Sequence, residues 1–345
     1  MVFQKRKSSL LPTYNNNSTT SKFSLNFFNN KFLIKKSLLF GLIIFGSVTI
    51  NLYYFTSYYL KDTTSEHSDR GENSLKQIFL PDASHPELKD LIIVAGHAIY
   101  LGNNQGGDEK EDENWILEEF QKGGQVKTFI NHIKKGVELV KENEEALLIF
   151  SGGQTRPSAG PRSEAQSYYA LAQSLNLLSN TNFTSTTNTS TNNYPLITRI
   201  ITEEYARDSY ENLLFSICRF NEYTNNYPRY ITVIGFQFKN KRFVELHRFA
   251  LKFPLNRFKY IGIDPDNTSP LGRFVGENVN SMGPFQRDLY GCHGKLLEKK
   301  LNRNPYRRSH PYQISCPELS SLFNYCPENQ NQLFPDKLPW EILIN

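Results

Sequence analysis

Several familiar fingerprints are missing from this chain. Its 345 residues contain no G-x-G-x-x-G, no G-x-x-x-x-G-K-[ST] and no G-x-S-x-G. The dinucleotide-binding, P-loop and α/β-hydrolase signatures are thereby excluded. H-E-x-x-H is absent as well, which removes the metalloprotease signature. Cysteine is scarce. Cys218, Cys292, Cys316 and Cys326 are the only four, and none forms a C-x-x-C pair, so no metal-ligand set is expected. Charge of one sign is not in large excess either. A net charge of +5 is mild for this length, and no nucleic-acid partner is expected from it. Long apolar runs are lacking, with one exception.

The exception is Ser37 to Leu60, 24 residues without a charge. As a helix it would reach ~36 Å, enough to cross a ~30 Å hydrocarbon core with some tilt. Tyr53, Tyr54, Tyr58 and Tyr59 cluster at its far end, where amphipathic rings suit the interface. Lys31, Lys35 and Lys36 precede it, whereas Asp62, Glu66, Asp69 and Glu72 follow it. The positive-inside rule then places the N-terminus in the cytosol and the bulk of the chain across the membrane. A secretory-pathway membrane is the favoured expectation. The basic, acid-poor first 36 residues also fit a mitochondrial presequence, and a cytoplasm-facing location stays open. Asn182, Asn188 and Asn267 begin N-x-S/T triplets, which would accept glycans only on a lumenal side. In an oxidising compartment Cys316 and Cys326, bracketing a short irregular stretch, would be a candidate disulfide.

Beyond a polar stalk at 61–88, short apolar runs alternate with helical periodicities. Strands are expected at Asp90–Ala95, Ala146–Phe150, Leu196–Ile201, Tyr230–Ile234 and Phe258–Ile263. Helices are expected over Gly124–Asn143, after Ser163, from Asp208 or Ser209, and over Lys239–Leu251. This alternation predicts βαβ units: a Rossmann-like, doubly wound, mainly parallel five-stranded α/β sheet, with one N-terminal transmembrane helix ahead of it. The domain is placed at 89–265, after a disordered tail at 1–36 and the span at 37–60. A Ser/Thr/Asn tract at 176–194 reads as a low-complexity insertion, and 266–345 as an extension packing on the domain. The acidic run Asp108–Glu119 reads as a solvated loop. Lys295, Lys299, Lys300, Arg303, Arg307 and Arg308 read as a solvated or membrane-facing surface.

In open α/β sheets, ligands bind beyond the carboxyl ends of the strands. The residues found there are Gly96-His97, Ser151-Gly152-Gly153, Glu203 and Gly235. Glycine lets backbone approach a ligand closely, and amides leading into a helix favour an anion. These glycines would equally serve as plain tight turns. Glu203 follows the third strand and is a candidate general base, or merely a bond to the next helix. Glu164 sits in the first turn of its helix, where a carboxylate suits the dipole. Ser209 and Asn212 open the following helix, and Asn212 is placed toward the cleft.

These pieces, in this order, resemble the YdcF-like family, known as domain of unknown function 218, with bacterial SanA and ElyC types. The resemblance rests on the strand ending at Gly96, the Ser151-Gly152-Gly153 turn, Ser163-Glu164-Ala165, and Glu203 followed by Ser209-x-x-Asn212. It spans about residues 90–265. One departure is the stretch Gly235-Phe236-Gln237-Phe238-Lys239, where Phe238 takes the position of the family's histidine. That stretch and the later Asp288-Leu289-Tyr290-Gly291 look like a fungal transmembrane branch. The resemblance implies a Rossmann-like fold, and one bacterial relative is described as binding S-adenosylmethionine. It names no substrate and no cofactor for this chain. The expectation is a membrane-anchored domain that binds a small anionic, phosphate- or nucleotide-like molecule at the strand rim. A non-catalytic scaffold is the alternative.

Overall fold

The computed structural model describes residues 49, 50, 53, 85–102, 108–179, 195–265 and 275–342. The expected tail, nearly all of the span at 37–60, most of the stalk and most of the 176–194 insertion lie outside the described residues. Among the described residues no helix is long and apolar enough to cross a membrane. Contacts divide the chain into Met1–Ser68 and Asp69–Asn345, and the α/β fold belongs to the second unit.

Five parallel strands form its sheet: β1 (Asp90–Ala95), β4 (Ala146–Ser151), β5 (Ile200–Glu203), β6 (Tyr230–Gly235) and β7 (Phe258–Gly262). Their order is β5-β4-β1-β6-β7, every neighbouring pair parallel. β1 and β4 are buried on both faces, which is why they read as unbroken apolar runs. Ile92, Val94, Leu148 and Phe150 face one layer, and Leu91, Ile93, Leu147 and Ile149 the other. Helices α1 (Val126–Glu142) and α2 (Glu164–Ser174) cover the first face. Helix α3 (Ser209–Thr224) and the helical stretch 237–250, α4, cover the second.

Residues 275–342 complete that second face. They hold a helical stretch at 275–287 (α5), helix α6 (Gly294–Asn302) and a one-turn helix at Tyr312–Ser315. Phe285, Tyr312, Phe334, Leu338 and Trp340 are buried in the same core as Leu91 and Phe253.

Four expectations are corrected. The third strand begins at Ile200, because Leu196–Arg199 forms a 3-10 turn; Arg199 is buried there and donates to the carbonyls of Val140 and Asn143 at 2.8 Å. The acidic segment after β1 is not simply a solvated loop. Strands β2 (Ile99–Tyr100) and β3 (Trp115–Ile116) pair antiparallel within that connection, and Trp115 is buried with its Nε1 donating to the Glu109 carbonyl at 2.9 Å. Cys316 does not bond to Cys326. Cys326 joins Cys292, whereas Cys316 is buried, 3.5 Å from the Tyr227 hydroxyl. The basic set near the C-terminus is not one solvated face, since Lys300 is buried and ion-paired with Asp208 (3.3 Å) and Glu211 (3.5 Å).

Candidate functional site

The chain crosses from the edge strand β5 back over the sheet to β6, beside β1. The strand order therefore reverses at the β1–β6 boundary, where a crevice opens beyond the carboxyl ends in folds of this kind. Gly96-His97 leaves β1 and Gly235-Phe236 leaves β6 at that point, with Ser151-Gly152-Gly153 on the neighbouring strand.

The structure brings Gly96, Ser151, Gly152, Glu164, Glu203 and Asn212 together, but as a packed knot. Ser151 Oγ lies 2.8 Å from Glu203 Oε2 and 2.9 Å from Asn212 Oδ1. Glu203 also accepts from the N–H of Tyr205 (2.7 Å) and Ala206 (3.3 Å) and from the Tyr312 hydroxyl (3.2 Å). Burial pushes the Glu203 carboxyl up to about 7, with the hydrogen bonds opposing it. The Glu164 carboxylate accepts from Thr155 Oγ1 and lies over two glycines. A Cβ added at Gly96 or Gly152 would meet Glu164 Oε2 at 2.6 or 2.7 Å. That close approach is what requires glycine at both positions.

The amides expected to hold an anion are already engaged. Gly96 N–H donates to Ser151 O (2.7 Å), Gly152 N–H to Glu203 O (3.0 Å) and Gly153 N–H to Ala206 O (2.7 Å). At the start of α2, the Glu164 and Ala165 amides donate to the Gly153 and Gly152 carbonyls, and Ser163 Oγ caps Gln166 N–H at 2.9 Å. The Ser151–Gly153 turn is thus a backbone splice between strand and helix, and its Gly152 and Gly153 N–H groups are not free for a ligand. Ser209 stands apart from the knot. Its hydroxyl is 2.7 Å from Nε2 of buried His247.

Basic side chains gather near the same strand ends. Lys239, in the first turn of α4, places Nζ 3.0 Å from Nδ1 of His97. Burial, then Arg242 and Arg303, bring Lys239 down to about 7. Burial, then Arg303 and Arg242, bring Lys299 down to about 8. Arg242 is buried and forms an ion pair with Glu277 at 3.2 Å. Arg303 donates to the Arg207 carbonyl at 3.0 Å. Among the described residues, Lys239, Lys299 and Arg303 form no ion pair. His97 is held neutral, its pKa well below the usual value, by burial first and then by Lys239 and His132. Its ring stacks on Phe236, with centroids 4.9 Å apart. Phe238 stacks in turn on Phe236, and Lys239 after it reaches back to His97.

Lys239, Lys299, Arg303 and the Arg242–Glu277 pair were not candidate site residues on sequence grounds. The lysine and arginine spaced three apart at the start of the helix after β6 is the one local signal that points to them, since such spacing shares a helix face. Arg303 and Lys299 arrive from sixty residues further on and carry no such mark. A separate cleft of about 370 Å³ opens at the opposite end of the sheet, lined by Glu142, Asn143, Tyr230 and Phe258 among others. It adjoins the carboxyl end of α1, whose carbonyl dipoles disfavour an anion.

The chain is 32% identical to "Uncharacterized protein YOR238W" of Saccharomyces cerevisiae, a match covering 74% of this chain and 98% of that protein. No family model matches the chain, and no solved structure does.

Proposed function

The chain belongs to the same family as the uncharacterised yeast protein YOR238W, and from that premise we propose that it binds a small phosphate-bearing molecule at the β1–β6 rim. One observation carries this reading. Lys239, beside His97, lies within electrostatic reach of Arg242 and Arg303, as does Lys299, and of the neighbouring carboxylates Glu277, Glu164 and Asp208 only Glu277 is ion-paired to one of these four cations. Like charges drawn together in a partly buried place repel, and a bound dianion would relieve that repulsion. A phosphate or a nucleotide's phosphates suit the geometry, because arginine forks hold such oxygens bidentately. His97 and Gly235 form the floor of the site. Gly96, Ser151–Gly153, Glu164, Glu203 and Asn212 hold the strand ends in register beneath it.

The carboxylates favour binding over catalysis. Glu203 has four donors on its two oxygens and Glu164 is turned into the backbone, so neither is free as a general base. The resemblance to YdcF-like proteins is part of the same proposal, supported by β1 at the centre of a parallel sheet and the Ser151–Glu203–Asn212 knot. So is the anchor: the charge-free run at 37–60, preceded by lysines, supports a single-pass membrane protein with a cytosolic N-terminus. Resistance of the full-length chain to alkaline extraction from membranes tests that part.

The ligand is tested by thermal shift on the full chain in detergent with inorganic phosphate, ADP and S-adenosylmethionine. A phosphate compound at 100 times its Kd should add about 2.7 kcal/mol of stability. Lys239→Met together with Arg303→Met should remove most of that gain. No shift with phosphate or ADP, or an equal shift in the double variant, would leave a scaffold as the better reading.

A further inference from the structure

A second set of ligating side chains meets where the turn after α5 touches the tail. Asp288 accepts the N–H of Cys292 (3.2 Å) and of His293 (2.8 Å). Gly291, at φ 61°, donates to the Asp288 carbonyl at 3.1 Å and closes the turn. Cys292 and His293 are thereby held side by side on a fixed loop. Cys326 arrives from the tail and is joined to Cys292. His293 Nε2 lies 3.2 Å from Cys326 Sγ and 3.1 Å from the Pro327 carbonyl. The three ligand atoms all lie within 4.8 Å of one another.

Two sulfurs and one imidazole nitrogen are the ligands that zinc prefers. Zn–S distances of about 2.3 Å and Zn–N distances of about 2.0–2.1 Å put tetrahedral ligand atoms roughly 3.5 Å apart. The His293–Cys326 pair is already near that spacing. The covalent bond holds the Cys292 and Cys326 sulfurs closer together than that.

We propose that Cys292, His293 and Cys326 form a zinc site in the reduced protein, which alternates with the disulfide. A dithiol reductant becomes a disulfide. The Cys292–Cys326 bond breaks, and its two sulfurs take up two electrons and two protons as thiols. Zn²⁺ then displaces those two protons and is held by two thiolates and by Nε2 of His293, whose ring proton passes from Nε2, where it faces the Pro327 carbonyl, to Nδ1, with a fourth position open to water. Disulfide and metal each tie the tail to the loop that leads into α6, the helix carrying Lys299 and Lys300. The reduced, metal-free protein would lack that tie.

The test uses the full chain, reduced with a phosphine and titrated anaerobically with Co²⁺. One equivalent should bind, with tetrahedral d–d bands and a thiolate-to-cobalt charge-transfer band, and Zn²⁺ should displace it. The oxidised protein should show neither band. His293→Ala, which leaves the disulfide able to form, should weaken Zn²⁺ binding on the order of 100-fold or more, since loss of mere outer-shell partners costs about 10–100-fold. Cys326→Ser should remove much of the charge-transfer intensity. Absence of the thiolate band in reduced wild type, or equal Zn²⁺ affinity in wild type and His293→Ala, would reduce the cluster to a plain disulfide.

Discussion

At Glu203, four donors converge on one carboxylate that is 1% exposed. Burial still outweighs them and lifts the group from 4.5 to about 7. Because the folded-state value is the higher one, Glu203 favours the folded protein fully below pH 4.5. That contribution is lost as the pH rises through about 7. The shift corresponds to about 3 kcal/mol. Glu203→Gln cannot ionise, so the stability difference between wild type and variant should move by about 3 kcal/mol in the variant's favour between pH 4.5 and 8. Urea unfolding across that range measures it, and parallel profiles would show that Glu203 does not titrate there. Lys239 obeys the opposite charge logic. A dianion stabilises its protonated form, so affinity should be greatest below about pH 7 and fall above it, by up to about tenfold per unit. Sulfate, whose charge is constant over that range, is the clean probe for calorimetry. Lys239→Met should bind more weakly and lose the fall through about pH 7, keeping only the later fall that Lys299 imposes near pH 8.

Helix α1 shows how element-level packing overrides propensity. Gly136 lies in its interior, where alanine would gain about 1 kcal/mol of helix propensity. A Cβ there would meet Val94 Cγ2 at 2.6 Å and Leu148 Cδ1 at 3.1 Å. Overpacking of that kind costs about 1–3 kcal/mol, so Gly136→Ala should destabilise on balance, by up to about 2 kcal/mol in chemical denaturation. An unchanged or raised midpoint would mean that the sheet yields easily under α1. The same scale explains which elements are readable from sequence. β1 and β4 announce themselves because strands covered on both faces must be apolar throughout. α1 announces itself through a face repeating every three or four residues. β5 is expected too early because Leu196 and Ile197 look like strand residues, while the buried Arg199 guanidinium that shapes the 3-10 turn is a long-range contact. The β2–β3 pairing is hidden because only two residues per strand take part. The candidate site is half legible for the same reason. Gly96, Gly152, Glu164, Glu203 and Asn212 sit at strand ends and helix starts that periodicity locates. Lys299 and Arg303 are brought to the rim by packing alone.

The α/β unit depends on the turn around Trp340. Trp340 is fully buried, packs 5.8 Å from the Phe253 ring, and donates its Nε1 proton to the Leu251 carbonyl at 2.8 Å. Lys252 reaches the Asp336 carbonyl at 2.5 Å and Glu341 at 2.9 Å. The segment 275–342 is therefore core rather than appendage, and removing it would uncover the outer sides of α3 and α4. A truncation there would report on folding and could not separate a ligand-binding domain from a docking scaffold. Point changes can. Trp340→Ala removes a large ring from a closed core and should cost about 3–5 kcal/mol, read as a lowered unfolding midpoint. Arg303→Met leaves that core intact and, being only partly buried, should change stability by roughly 0.5 kcal/mol or less while weakening phosphate binding. If Arg303→Met destabilised the fold as much as Trp340→Ala, the rim cations would be structural, and their convergence would no longer argue for a ligand.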